Sequence, residues 1–163
     1  MAKSFDLDTS PGHLLRRAQQ HASDLYTNQT EKGDLTQRQF AVLFAVDQRD
    51  GVTQTELVLM TGIDRSTLAD MILRMLGKDL LARKRTDEDQ RANSVRITPT
   101  GRRALRTAMP IVLRSETQIL EALPARMRAD FIKALTLIAK AGADAQRAKE
   151  ESGESKSKGR KRR

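Results

Sequence analysis

Apolar positions along the chain fall into blocks with helical spacing, separated by polar turn signals. Leu14, Leu15, Ala18, Ala22, Leu25 and Tyr26 predict a helix with one apolar stripe over about residues 14–30, with Pro11 and Gly12 punctuating its start. The next block, Phe40, Val42, Leu43, Phe44 and Val46, is apolar nearly all round and predicts a buried helix ending near Asp47–Gly51. Thr36 and Gln39 make a capping box at its start, because each side chain can satisfy a free backbone N–H of the first turn. Thr53 and Glu56 repeat that device before a short helix closed by Gly62. Asp64 caps a third helix, "RSTLADMILRMLG", which ends at Gly77. Two short helices flanking Thr61–Ile63 have the spacing of a helix-turn-helix.

Period two replaces the helical spacing further on. "LLARKRT" predicts a strand and "ANSVRIT" its partner, with Asp87, Glu88 and Asp89 in the turn between them. Thr98-Pro99 is a helix start, a capping hydroxyl followed by proline at the first helical position. A long helix is expected from Pro99 to about Ala122, and another after Pro124 with Phe131, Ile132, Leu135, Leu137 and Ile138 as its apolar positions. Apolar spacing fades near Ala143, and the charged, low-complexity segment 144–163 is expected to be disordered. The element order predicts a mainly α fold, a winged helix-turn-helix with a two-stranded β wing.

Composition narrows the function classes. The 163 residues suit one domain, and with aromatic residues at 3 % and no Trp the core must be aliphatic. The absence of Cys excludes disulfides, thiolate metal sites and a Cys nucleophile, and fits the reducing cytoplasm in which the protein is expected to work. No apolar run is long enough for a membrane span, and the start of the chain lacks the pattern of a secretion signal. The net charge is +9, of which residues 147–163 carry +5, so a polyanionic partner is plausible although the tail accounts for much of the signal. Two His, no glycine-rich phosphate loop and no Ser-His-Asp context argue against an enzyme, and no cofactor or metal is expected. The acidic turn lacks the Gly and distal Glu of a calcium loop.

A hairpin directly after a helix-turn-helix is a wing: the second helix fits the major groove of B-DNA and the thin hairpin reaches the adjacent minor groove. The stretch "TQTELVLMTGIDRSTLADMILRMLGKDLLARKRTDEDQRANSVRITPTG", Thr53 to Gly101, resembles the MarR family of winged-helix regulators. Its marks are "STL" after a short helix, "LLAR", an Asp-rich turn ending in Arg-Ala, and "ITPTG"; the flanking helices match as well. The resemblance implies one domain over 1–143, with dimerisation helices at about 7–31 and 99–143 around a winged helix-turn-helix at about 34–98. It implies a homodimer, a roughly palindromic double-stranded operator, repression, and release by a small-molecule effector.

Residue by residue, Leu68, Ile72, Met75 and Leu76 share the core face of the recognition helix. Ser66 and Thr67 are candidates for bases or phosphates, with helix capping the alternative for Thr67. Arg65 and Arg74 read as phosphate contacts, or as solvated surface charge. Asp70 and Ala69 depart from the family pattern, where a basic residue and Thr are common, and an acid there can accept from a cytosine amino group. The resemblance puts Arg91 at the wing tip, aimed into the minor groove, with Asp87 or Asp89 holding its guanidinium and Lys84, Arg85 and Arg83 adding phosphate contacts from the stem. His13, Arg16 and Arg17 lie within about one helical turn, with His21 beyond and Arg38 at the next helix, and either solvate a dimer interface or form an anion site. The opening "SPGHLLRRAQQ" with "DRSTLADMILRML" is similar to regulators of aromatic-acid catabolism, some of which sense aromatic acyl-CoA thioesters. Such an effector needs an apolar slot, for which Tyr26, Phe40 and Phe44 are candidates; a free phenolic acid is the alternative. The tail either binds phosphate nonspecifically or only solubilises. A competing reading, an architectural protein coating nucleic acid without sequence preference, is opposed by the lack of aromatics for stacking on single-stranded bases.

Overall fold

In this computed structural model, which describes residues 5–31, 33–49, 51–84 and 94–160, side-chain caps set where most helices begin. Helix α1 (Pro11–Thr27) starts on proline, whose missing N–H would have had no partner there anyway. Helix α2 (Gln37–Gln48) opens with the expected capping box: Thr36 Oγ1 accepts from Gln39 N at 3.2 Å, and Gln39 Oε1 accepts from Thr36 N at 3.0 Å. A two-residue strand β1 (Val52–Thr53) then leads into α3 (Gln54–Thr61), boxed in the same way by Thr53 and Glu56. Gly62 ends α3 at a φ of +67°, the left-handed geometry that glycine adopts without strain. Asp64 caps α4 (Arg65–Gly77). Strands β2 (Leu81–Lys84) and β3 (Ser94–Ile97) follow, then α5 (Pro99–Glu121), capped by Thr98, and α6 (Ala125–Arg160).

The antiparallel hairpin is present, with Leu81 opposite Ile97 and Lys84 opposite Ser94, but the sheet has three strands in the order β1-β3-β2. Val52 pairs with Val95 on the hairpin's other edge, so the segment just before α3 is stitched to the wing stem. A two-residue strand has no alternation to detect, which is why the sequence pattern pointed to two strands only. Residues 85–93, with the expected Arg85, Asp87, Asp89 and Arg91, lie outside the described residues, as does the side chain of Lys84.

One aliphatic core joins these elements. Leu43 and Val46 of α2, Leu57 and Val58 of α3, Leu68, Ile72 and Met75 of α4, Leu81 and Val95 of the sheet and Leu105 of α5 are all buried together. At about 1.5–3 kcal/mol for each large aliphatic side chain, this burial is the main force assembling the winged lobe. Phe44 departs from the expectation of a fully buried α2: it is 41 % exposed and stacks on the half-buried Phe40 at 5.9 Å.

The end of α4 is clasped to the start of α5. Thr98 donates to the Leu80 carbonyl through both its backbone N–H and its hydroxyl, each at 3.2 Å, and the hydroxyl also lies 2.5 Å from the Asp79 carbonyl. Asp79 takes a φ of +54° to make this turn and accepts from the Thr100 hydroxyl at 3.1 Å. Gly101 sits so close that a Cβ there would meet the Leu80 oxygen at 2.1 Å. At the far end of α5, Gln29 donates to Gln118 and accepts from Arg114 Nε, tying the end of α1 to α5.

Helix α6 corrects one expectation. The segment from 144 onward, expected to be disordered, continues the helix as far as Arg160. Its Ala, Gln, Lys, Glu and Arg are all good helix formers, and no proline interrupts them. Loss of the apolar stripe therefore marked the end of a packing face, not the end of the helix.

Candidate nucleic-acid interface and adjoining cavity

The second helix of the helix-turn-helix begins at a carboxylate that organises its whole first turn. Asp64 Oδ1 accepts from Thr67 N at 2.9 Å and from the Ser66 hydroxyl at 2.8 Å. The hydroxyl and backbone N–H of Thr67, followed by the Ser66 hydroxyl, stabilise the ionised form and hold the Asp64 carboxyl at about 2. Thr67 thus has the capping role that was its alternative reading, and the Ser66 hydroxyl is turned back onto the cap. At the preceding helix, the Thr53 backbone and hydroxyl keep the Glu56 carboxyl below its ordinary value, and Arg49 pairs with it at 2.9 Å.

From that start α4 presents three faces. Leu68, Ile72 and Met75 are buried in the core, with Leu76 half-buried beside them. Ser66, Asp70, Leu73 and Gly77 point the opposite way and are exposed. Between these faces, Thr67, Met71 and Arg74 form a flank. Arg65, exposed at the first turn, reaches back so that its guanidinium donates to Thr55 Oγ1 at 3.4 Å. Arg83 is exposed on β2.

The flank of α4 is one wall of a cavity of about 630 Å³. Gln19, Ser23, Tyr26 and Thr27 of α1, Thr30 and Glu31 after it, and the run from Asp34 to Gln39 form the rest of it. Tyr26 is 3 % exposed and its hydroxyl donates to the Leu35 carbonyl at 2.6 Å. Burial, and secondarily the Asp34 carboxylate, raise the Tyr26 pKa, so the phenol stays protonated and fixed as a donor. Arg38 and Arg74 bring positive charge to the cavity, and Glu31 and Asp34 bring negative charge.

Of the residues singled out for a ligand, Tyr26 and Arg38 line this cavity. His13 is half-buried in the first turn of α1, Arg16 and Arg17 are exposed on the same helix, and Phe40 and Phe44 stack on each other along α2; none of these five is in the cavity wall. Met71 was not singled out, and Thr67 and Arg74 were read as DNA contacts, a helix cap or surface charge, not as cavity lining. Their flank position depends on how α4 packs against α1 and the loop before α2, which no local pattern encodes. Among the described residues no cluster of His, Cys, Asp or Glu could hold a metal ion, and no helix is long and apolar enough to cross a membrane.

Comparison with known proteins agrees with this architecture. The MarR family model matches residues 35–92. Transcriptional regulator HosA of Escherichia coli O127:H6 is 35 % identical over 100 residues, which span 61 % of this chain and 72 % of HosA. Among solved structures, Bordetella bronchiseptica BpsR, studied for regulation of its DNA binding by 6-hydroxynicotinic acid, superposes with a TM-score of 0.78 at 27 % identity, covering 83 % of this chain and 96 % of BpsR. The transcriptional repressor CouR, solved on a 23-mer DNA duplex, superposes with a TM-score of 0.74 at 30 % identity, covering 85 % of this chain and 99 % of CouR; CouR has also been solved bound to p-coumaroyl-CoA. With a winged helix-turn-helix built from its own caps and core, and with these relatives, the chain belongs to the MarR family of DNA-binding transcriptional regulators.

Proposed function

We propose that the protein is a homodimeric cytoplasmic repressor that leaves a palindromic operator when an aromatic carboxylate or its acyl-CoA thioester fills the cavity beside α4. The observation carrying this reading is that α4, the second helix of the helix-turn-helix, is also a wall of the cavity; in this reading its outer face is the one that enters the groove. A ligand contacting Thr67, Met71 or Arg74 acts directly on the helix that must fit the groove. Differential affinity for two positions of that helix is all that effector control requires. A volume of about 630 Å³ falls in the range of small-molecule sites. Arg38 and Arg74 suit a carboxylate or phosphate, while Tyr26 supplies apolar ring surface. The effectors of BpsR and CouR support the aromatic class.

Dimerisation is supported by apolar surface that the single chain leaves uncovered. Leu14 and Leu15 of α1, Leu113 of α5, and Ile132, Leu137 and Ile138 of α6 are exposed at 41–69 %. The main contact of the long α6 within its own chain is with α3, so its apolar side is available to a second copy. On the DNA, Arg65, Ser66, Asp70 and Arg74 would work from α4, and Lys84, Arg85 and Arg91, braced by Asp87 and Asp89, from the wing.

The test is an operator selected from genomic DNA, bound at fixed salt, and challenged with a panel of aromatic acids and their CoA esters. At least one compound should release the DNA and raise the melting temperature of the free protein. If the whole panel leaves both unchanged, the effector reading fails; if selection yields no preferred duplex, the repressor reading fails with it.

A further inference from the structure

Helix α4 carries one apolar side chain more than its packing uses. Leu68, Ile72 and Met75 fill the core, and Met71 and Leu76 pack against its edge. Leu73 does neither: it is 56 % exposed. At about 100° per residue, Leu73 lies roughly opposite Met75 and within about 40° of the line through Ser66, Asp70 and Gly77. It therefore stands on the outward face, about one turn beyond Asp70 and next in sequence to Arg74. A lone exposed Leu is ordinary on a protein surface. This one lies on the surface that a helix-turn-helix lays into the major groove, where an uncompensated apolar group among hydrogen-bonding base edges would weaken binding.

The major groove offers one apolar feature, the C5-methyl group of thymine. We propose that Leu73 is a specificity-determining residue that reads thymine through this methyl. The proposal rests on α4 being the DNA-reading helix. Its neighbours leave it little competition: Gly77, the next outward position, has no side chain, and nothing lies within 4 Å of where its Cβ would be. Asp70, on the other side, carries only acceptors, so it suits the amino group of a cytosine or adenine and is repelled by guanine O6 and N7. These two outward positions thus lack the arginine fork that reads guanine, and select by methyl contact and by an acceptor.

Deoxyuridine in place of thymidine removes only the methyl group, so it isolates this contact. The selected operator is resynthesised with one dT at a time changed to dU, symmetrically in both half-sites, and binding is followed by fluorescence anisotropy at fixed salt. The wild-type protein should lose three- to tenfold at one thymine position per half-site. Leu73→Ala should bind the unmodified operator more weakly by a similar factor and be indifferent to dU at that position. Because Leu73 is exposed and Ala is the better helix former, the variant should melt at the wild-type temperature. If the wild type binds every dU operator as tightly as the parent, or Leu73→Ala keeps the dU penalty, the inference is overturned. Failure to select any operator would instead overturn the DNA-reading assignment beneath it, a distinguishable result.

Discussion

Replacing Gly101 with alanine tests the clasp between the recognition helix and α5. The new Cβ would lie 2.1 Å from the Leu80 carbonyl oxygen and 2.9 Å from Ile97 Cγ1, whereas contacts under 3.0 Å are essentially never made by real Cβ atoms. Backbone must move by about 0.9 Å to open that space, and a carbonyl held by neighbours cannot swing aside as a side chain would. The obstructing oxygen accepts from the Thr98 N–H and hydroxyl, each at 3.2 Å, so moving it weakens two hydrogen bonds worth about 1 kcal/mol apiece. Overpacking adds about 1–3 kcal/mol. The better helix propensity of alanine returns about 1 kcal/mol. The net expectation is a loss of about 2–4 kcal/mol, a large share of the stability of a small domain. Urea unfolding at one fixed protein concentration measures it as a lower midpoint with an unchanged slope. Gly142→Ala is the control: its Cβ would meet nothing within 4 Å, so it should be neutral or stabilise by about 0.5–1 kcal/mol. If Gly101→Ala unfolds within about 0.5 kcal/mol of wild type, the clasp is softer than its geometry and the reasoning is wrong.

Three further outcomes are expected. The Asp64 carboxyl titrates at about 2 in the fold against an ordinary value of 3.8, so its stabilisation is present above about pH 4 and is lost as pH falls towards 2; Asp64→Asn keeps a capping acceptor, and its melting temperature should fall less over that window than the wild type's. Arg91→Ala should weaken operator binding by on the order of 1–3 kcal/mol in a titration at fixed salt, and an unchanged affinity would remove the wing from the reading. Ile138→Glu, placed on the exposed apolar side of α6, should shift the protein from dimer to monomer in light scattering; a dimer of undiminished stability would relocate the interface.

What the sequence revealed was the information carried by short, fixed spacings. Thr36 with Gln39, Thr53 with Glu56, Asp64, and Thr98 before Pro99 each act on N–H groups within one turn, so their structural meaning travels with the residues themselves. The turn between α3 and α4 was legible for the same reason, since Gly62 supplies the positive φ that ends one helix before the next cap. Longer-range features were hidden. β1 exists because Val52 finds Val95 across 43 positions, and nothing within two residues announces it. Phe44 looked buried because α2 is apolar nearly all round, yet a helix at the margin of one chain keeps a side that its own core does not cover. The end of α6 was misread because composition reports whether a segment can pack, while helix propensity decides whether it coils. The cavity was half legible: Tyr26 and Arg38 stood out by chemistry, whereas Met71 belongs to it only through the packing of α4.

Under the proposed reading, the three faces of α4 would let operator and effector preference change separately. Substitutions at Asp70 or Leu73 alter what the outer face meets and leave the core and the cavity untouched. Substitutions at Met71 alter the cavity wall, about 100° round the helix from the nearest outward side chain proposed for reading, Asp70, with Arg74 excepted. Arg74 is exposed and also lines the cavity, so it is the position where the two functions overlap. Under the proposed mechanism a ligand carboxylate drawing the Arg74 guanidinium inward takes a cation from the DNA side in the same movement. The clasp from Leu80 to Thr98 and Gly101 then matters for control as well as stability. It ties the turn after α4 to the start of α5, so in the proposed dimer pressure on the flank would reorient the whole lobe relative to a partner copy. In the proposed dimer two such lobes would meet grooves about 34 Å apart, and a small rotation of each would be enough to spoil that register.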